Sequence, residues 1–202
     1  GGAAHGSSGD SGPHEEWRLV VIHEVDEALA ALVRREALNG SDVEVVFDAP
    51  TREWASRRSA PTVNVYLYDV REDMRLRSYG SVDMVDGTGR IKGRQAPPRY
   101  FKLSYLVTAW TQRPQDEHRL LSAVLACFLR HDTIPTEVLG SGPLAAQGLP
   151  VRTTIALPPP EDRAISDVWS ALGGELKASL DLVALVAIDS RGERGVAELV
   201  QQ

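Results

Sequence analysis

Apolar and polar positions along this 202-residue chain follow two rhythms, and the changes between them mark the elements. Over Glu15 to Leu38, Ile22, Val25, Leu29, Leu32 and Val33 recur at steps of three and four, which predicts a helix with one apolar stripe. Acids lie toward its front and Arg34 and Arg35 toward its end, as the helix dipole favours. Asn39-Gly40 then supplies a stop. Val43 to Phe47 predicts a short strand, ended by Ala49-Pro50, and Thr51 to Arg58 one or two helical turns. Thr62 to Val70 alternates with period two: Val63, Val65 and Leu67 share one face, Asn64, Tyr66 and Tyr68 the other.

The second half carries the strongest patterns. Tyr100 to Thr111 places Phe101, Leu103, Tyr105, Val107 and Ala109 on one face. Leu106 and Trp110 make the other face partly apolar, so this strand is expected at the centre of a sheet. Pro114 to His131 predicts a helix with a stripe of Leu121, Val124, Leu125, Phe128 and Leu129. One further turn is expected over Ile134 to Leu139. After a Gly-rich stretch, Gly140 to Gly148, come a strand over Val151 to Leu157, a helix over Ile165 to Leu172 and a strand over Leu180 to Ile188. Pro158-Pro159-Pro160 and Gly173-Gly174 separate these three.

Between the halves, Arg71 to Pro98 breaks both rhythms. Gly80, Gly87, Gly89 and Gly93 interrupt it and Pro97-Pro98 closes it, which predicts a long excursion or ribbon outside the core. The fold class is therefore α+β: a single domain over residues 15–190, with a mixed β-sheet, helices packed on it and an excursion over 71–98. Residues 1–14 read as a flexible Gly/Ser-rich lead, and residues 191–202 as a C-terminal arm with a late apolar cluster at Val196, Leu199 and Val200.

Charge sharpens the picture of the excursion. The chain carries a net charge of -6. Over residues 71–102, eight cations face four acids, a local +4, so the rest carries -10. An acidic chain lacks the positive face that nucleic acid demands. Arg90, Lys92, Arg94 and Arg99 are candidates for contact with an acidic neighbouring surface. No apolar run near the start is long enough for a leader core or a membrane span. The single cysteine, Cys127, allows no internal disulfide and fits a reducing compartment.

Candidate chemistry is thin. Asp116-Glu117-His118 sits where a helix begins. Pro114 suits a first turn, and carboxylates there offset the positive end of the dipole, so the triplet reads as a helix start. His23-Glu24-Val25-Asp26-Glu27 begins like a zinc-protease HExxH helix, but Glu27 replaces the second histidine. Gly87, Gly89 and Gly93 are spaced too widely for a dinucleotide fingerprint and precede a strand rather than a helix. Cys127 lies among core residues, where a thiol is inert. These patterns predict no catalytic residue, cofactor or metal site. The alternative is a small ligand-binding or hydrolytic domain using His118, His131 and Cys127.

Six stretches, in one order, resemble a known family: IHEVDEAL from Ile22, FDAPTREW from Phe47, PTVNVYLYD from Pro61, LSYLVTAW from Leu103, DEHRLL from Asp116 and WSALG from Trp169. They resemble the cap, or tail-terminator, family of bacterial contractile injection systems, which are phage-tail-like particles. The resemblance spans Trp17 to Ser190. It implies a structural protein rather than an enzyme. It implies a six-fold ring that closes the inner tube and anchors the last sheath layer, with the tube protein and the sheath protein as partners. It places the chain in the bacterial cytoplasm at assembly, or in released particles, with no membrane insertion. The arm lies outside the resemblance; its apolar residues Val196, Leu199 and Val200 are candidates for sheath binding, by adding a strand to the edge of a partner's sheet.

Overall fold

Strand β5 (Arg99–Trp110) organises the molecule, which is known from a computed structural model describing residues 21–158 and 164–188. It is the middle of a five-stranded sheet ordered β1 (Glu44–Val46), β2 (Thr62–Glu72), β5, β7 (Leu180–Ile188), β6 (Arg152–Ile155). β1 runs parallel to β2, and every other neighbour is antiparallel, so the sheet is mixed and the fold α+β as expected. Leu103, Tyr105, Val107 and Ala109 are fully buried on one face of β5, and Leu106 on the other. Burial on both faces is what a central strand requires.

Two helices cover the first face. α1 (Val21–Leu32) buries Val21, Val25, Ala28, Leu29 and Leu32, and α3 (Pro114–Arg130) buries Leu121, Val124, Cys127 and Phe128. These residues join Val63, Val65, Leu103, Tyr105, Leu182 and Val186 in one apolar core. A shorter α2 (Arg52–Ser56) follows β1, its first turn capped by Thr51, whose hydroxyl accepts from the Trp54 amide. α5 (Ile165–Ala171) serves the other face: Trp169 and Leu106 are buried but stand outside the main core. Trp169 packs so close to Gly174 that a Cβ there would sit 3.1 Å from the indole Cε3.

The structure corrects several expectations. α1 ends in a π-helical turn, Val33–Ala37, closed by the Leu38 amide on the Val33 carbonyl, and Arg34 reaches from that turn to the outer edge of β1 at the Val45 carbonyl. Leu129 does not belong to the α3 stripe. It is 70% exposed, and Cys127 is buried instead, because the 3.6-residue period turns position 129 past the core. β2 continues to Glu72, two residues past the predicted end, because β5 is long enough to pair Arg71 with Lys102 and Glu72 with Phe101. A bulge between Leu67 and Asp69 breaks its simple alternation. β6 stops at Ile155 because Ala156 turns away at φ 54°. The Gly-rich stretch holds a short helix, α4 (Pro143–Ala146), that composition does not reveal. Its first turn is capped from outside: the Glu24 carboxylate accepts from the Leu144 amide at 2.6 Å. Residues 15–20 of the predicted first helix, the lead and the C-terminal arm with Val196, Leu199 and Val200 lie outside the described residues.

Candidate assembly interface

β2 and β5 run on together, and the chain between them leaves the sheet. A 3-10 turn, Met74–Leu76, follows Asp73, and then β3 (Val82–Val85) and β4 (Ile91–Gln95) pair as an antiparallel hairpin of their own. An isolated two-stranded hairpin is marginal in water, so its base and its tip matter.

The base is an ion-pair network. Asp73 has a side chain only 5% exposed. It accepts from Arg75 at 3.0 Å and pairs with Lys102 at 3.1 Å. The Arg75 hydrogen bond, with help from Lys102, holds its carboxyl far below the usual range. Glu72 accepts from Arg99 Nε at 2.9 Å and lies 3.8 Å from Arg77, and the Arg99 hydrogen bond lowers its pKa too. Charge-assisted pairs of this kind fix direction as well as adding energy.

The tip is a pre-set turn. Asp86 Oδ1 accepts from the Thr88 amide at 2.8 Å, the Thr88 hydroxyl at 2.5 Å and the Arg90 amide at 3.0 Å. Gly89 takes φ +80°, a left-handed conformation that suits this short loop. These bonds lower the Asp86 pKa, the Thr88 hydroxyl contributing most.

The four cations singled out from the sequence fall into different settings. Arg99 is committed to Glu72 and stacks 5.7 Å from the Phe101 ring. Arg94 bonds Asp83 across the hairpin at 3.2 Å. Arg90 is exposed in the tip, with no acidic partner among the described residues. Lys92 falls in β4 where the register shifts opposite Met84 and Val85. Sequence reasoning missed the apolar character of this region. Tyr79 is 82% exposed, and Val85 and Ile91, directly opposed in the hairpin, are 63% and 61% exposed. Val70, Met74, Leu76 and Val82 are exposed as well. The signal lies in valines and an isoleucine set among the glycines, where the charges dominate the pattern.

At the other end of β5 lies a second cluster. Lys177 Nζ bonds Glu117 at 2.9 Å and the Ala109 carbonyl at 2.7 Å, and sits 3.8 Å from the Trp110 ring centroid. Trp54 meets Trp110 edge-on at 5.3 Å, bonds Asp48 through its indole N–H at 2.8 Å and carries Arg58 4.6 Å from its ring centroid. Beside this cluster a cleft of about 510 Å³ is lined by Pro50, Ala55, Trp110, Glu175 and Leu176, among others.

The chemistry candidates resolve into scaffold. Glu117 accepts from the Thr111 amide at 3.1 Å and so closes the start of α3, while Asp116 pairs with Arg119. His23 pairs with Glu27 on an exposed helix face. Burial pushes the Cys127 thiol up to about 11, far from thiolate chemistry. His118 and His131 stand at opposite ends of α3, about 20 Å apart at ~1.5 Å per residue. Gly87 and Gly89 belong to the hairpin tip. No group of three metal-ligating side chains converges among the described residues, and no helix among them is long and apolar enough to cross a membrane.

A model of the Pvc16 N-terminal domain family matches residues 24–202. The chain belongs to that family. The resemblance read from the six stretches is thereby borne out. Two solved structures are similar to this chain in fold. One is the cryo-EM structure of the PVC sheath/tube terminator of an extracellular contractile injection system in its extended state, 24% identical, with a TM-score of 0.59 over 90% of this chain and 63% of that one. The other is the anti-feeding prophage cap, a tube-terminating cap, 22% identical, with a TM-score of 0.56 over 92% of this chain and 62% of that one. The chain thus spans less than two thirds of either structure. No match is found among curated proteins.

Proposed function

We propose that the chain is a structural cap of a contractile injection system, closing the inner tube and anchoring the last sheath layer. The observation that carries this reading is the fold shared with two terminators over 90% and 92% of the chain, joined to membership of the Pvc16 N-terminal domain family. In this reading the protein performs no catalysis. Its partners are the tube protein, the sheath protein and further copies of itself in a six-fold ring. It assembles in the bacterial cytoplasm and leaves only within released particles.

The candidate contacts take roles within that reading. The hairpin carrying Arg90, Lys92, Arg94 and Arg99 is a docking element, supported by its apolar exposure and by the network that holds its base. Residues 15–190 form the terminator-like domain. Residues 191–202 form a sheath-binding arm through Val196, Leu199 and Val200, a proposal that rests on sequence alone. A hydrolytic role for His118, His131 and Cys127 draws no support from a buried thiol and two separated imidazoles.

The test is location. A gold-labelled chain incorporated into purified particles should mark one end only, opposite the baseplate. Label along the shaft, at the baseplate or absent from particles would overturn the cap reading.

A further inference from the structure

The sheet face opposite the main core is covered only in part. α5 serves one end of it, beside Tyr66 and Tyr68. Next to it lies a cavity of about 350 Å³, whose lining includes Ser104, Val183, Asp181 and Leu157. Strand pairing fixes where these stand. Ser104 faces Val183 across the β5–β7 ladder, and Asp181 lies two positions along β7 from Val183, on the same face. Ser104 is 5% exposed, and its hydroxyl makes no hydrogen bond among the described residues. A buried hydroxyl that lines a cavity without a protein partner points to a ligand.

The other charges around the cavity are matched. Lys102 pairs with Asp73 at 3.1 Å, Arg71 with Asp69 at 3.1 Å, and Glu72 accepts from Arg99. Asp181 differs. Its Oδ1 accepts from the Tyr68 hydroxyl at 2.6 Å, and no cation pairs with it among the described residues. Asp181 is the register partner of Leu106, four residues along β5 from Lys102. About 14 Å of strand, at about 3.4 Å per residue, therefore separates Lys102 from this carboxylate.

We propose that the cavity binds a primary alkylammonium group, which donates to Asp181 Oδ2 and to the Ser104 hydroxyl. A cation is selected because the lining charge without an ionic partner is a carboxylate. An ammonium suits it better than a guanidinium. The planar fork of a guanidinium needs both carboxylate oxygens, and Tyr68 already engages Oδ1, whereas an ammonium is a point charge with rotatable donors. A divalent metal asks for more oxygen ligands than one such carboxylate and a hydroxyl supply. Val183 and the exposed Leu157 give the methylene chain an apolar wall. The site does not depend on the cap reading, and its failure leaves that reading untouched.

The test is a titration of the isotope-labelled full chain with 1-aminobutane at pH 7, followed by backbone amide NMR shifts. Saturable shifts should appear at Ser104, Asp181 and Val183, in the millimolar range. Ser104→Ala should weaken binding about tenfold. Asp181→Asn, which keeps an oxygen for Tyr68, should abolish it and serves as the second variant should Ser104→Ala fold poorly. Butylguanidine should bind at least tenfold more weakly than 1-aminobutane, and butyrate not at all. Nα-acetyl-lysine amide distinguishes two sources of the same group. Binding as tight as that of 1-aminobutane assigns the site to a protein lysine, and its exclusion assigns the site to free amines; both support the proposal. No saturable shift with 1-aminobutane, an affinity unchanged in both variants, or equal binding of butylguanidine would overturn it.

Discussion

Lys177 and Glu117, sixty positions apart, meet at 2.9 Å beside the ring of Trp110. The contact ties the loop before β7 to the start of α3, and the Ala109 carbonyl takes a second hydrogen bond from the same ammonium. Both side chains are less than one-fifth exposed, so screening by water is limited. Lys177→Met keeps the length but leaves Glu117 and the Ala109 carbonyl short of a donor. It should lower stability by about 1–3 kcal/mol. Glu117→Gln retains an acceptor for the Thr111 amide and should cost less than Lys177→Met. Urea unfolding followed by tryptophan fluorescence measures both; two midpoints equal to wild type would contradict the assignment.

The base of the hairpin should be sensitive to acid. Asp73 and Glu72 have folded pKa values below their ordinary ones, Asp73 through Arg75 and Glu72 through Arg99. A depressed carboxyl contributes stability that is complete above its unfolded pKa and is lost as pH falls. Wild-type stability should therefore decline below about pH 4. Asp73→Asn retains an oxygen for the Arg75 amide but removes the charge. It should be less stable at pH 7 and show a shallower acid decline. Asp26 works with the opposite sign, because burial raises its pKa despite the hydrogen bond from Tyr105, so acid relieves it. Thermal unfolding from pH 7 to pH 2 distinguishes the profiles. Superimposable curves for wild type and Asp73→Asn would refute the network's role.

The α3 stripe gives a direct contrast. Phe128→Ala empties a core site and should cost about 3–5 kcal/mol. Leu129→Gln, one residue on, should stay within about 0.5 kcal/mol of wild type because that side chain faces water. Equal losses at the two positions would mean that α3 is rotated relative to the structure.

What was legible in the sequence follows from which forces act locally. β5 and α3 were readable because burial of one or both faces imposes a strict period on twelve and seventeen consecutive residues. Leu129 was misplaced because five apolar residues in a row of i, i+3 and i+4 steps satisfy a helix wheel wider than the surface it packs on. α4 was hidden because its capping group is Glu24, 120 positions away, a tertiary contact that no local window contains. The glycines and prolines of residues 71–98 predicted an excursion or ribbon, but neither its tip at Asp86-Gly87-Thr88-Gly89 nor the pairing of its charges. Six of the eight cations counted over residues 71–102 have an acidic neighbour: Arg71 with Asp69, Arg75 and Lys102 with Asp73, Arg77 and Arg99 with Glu72, Arg94 with Asp83. Net charge counts residues, whereas an interface is made of those left over after internal pairing. Among the described side chains, the leftover at the tip is Arg90 together with Val85 and Ile91.

The cap reading predicts one consequence more directly than any other. Particles assembled without this chain should be imaged by electron microscopy and their tube lengths measured against wild type. Loss of the chain should give tubes of uneven or excessive length, open at the end away from the baseplate, with sheath missing or detached there; restoring the chain should return one length. A tube-length distribution and closed ends indistinguishable from wild type would contradict the role of this protein as the terminator.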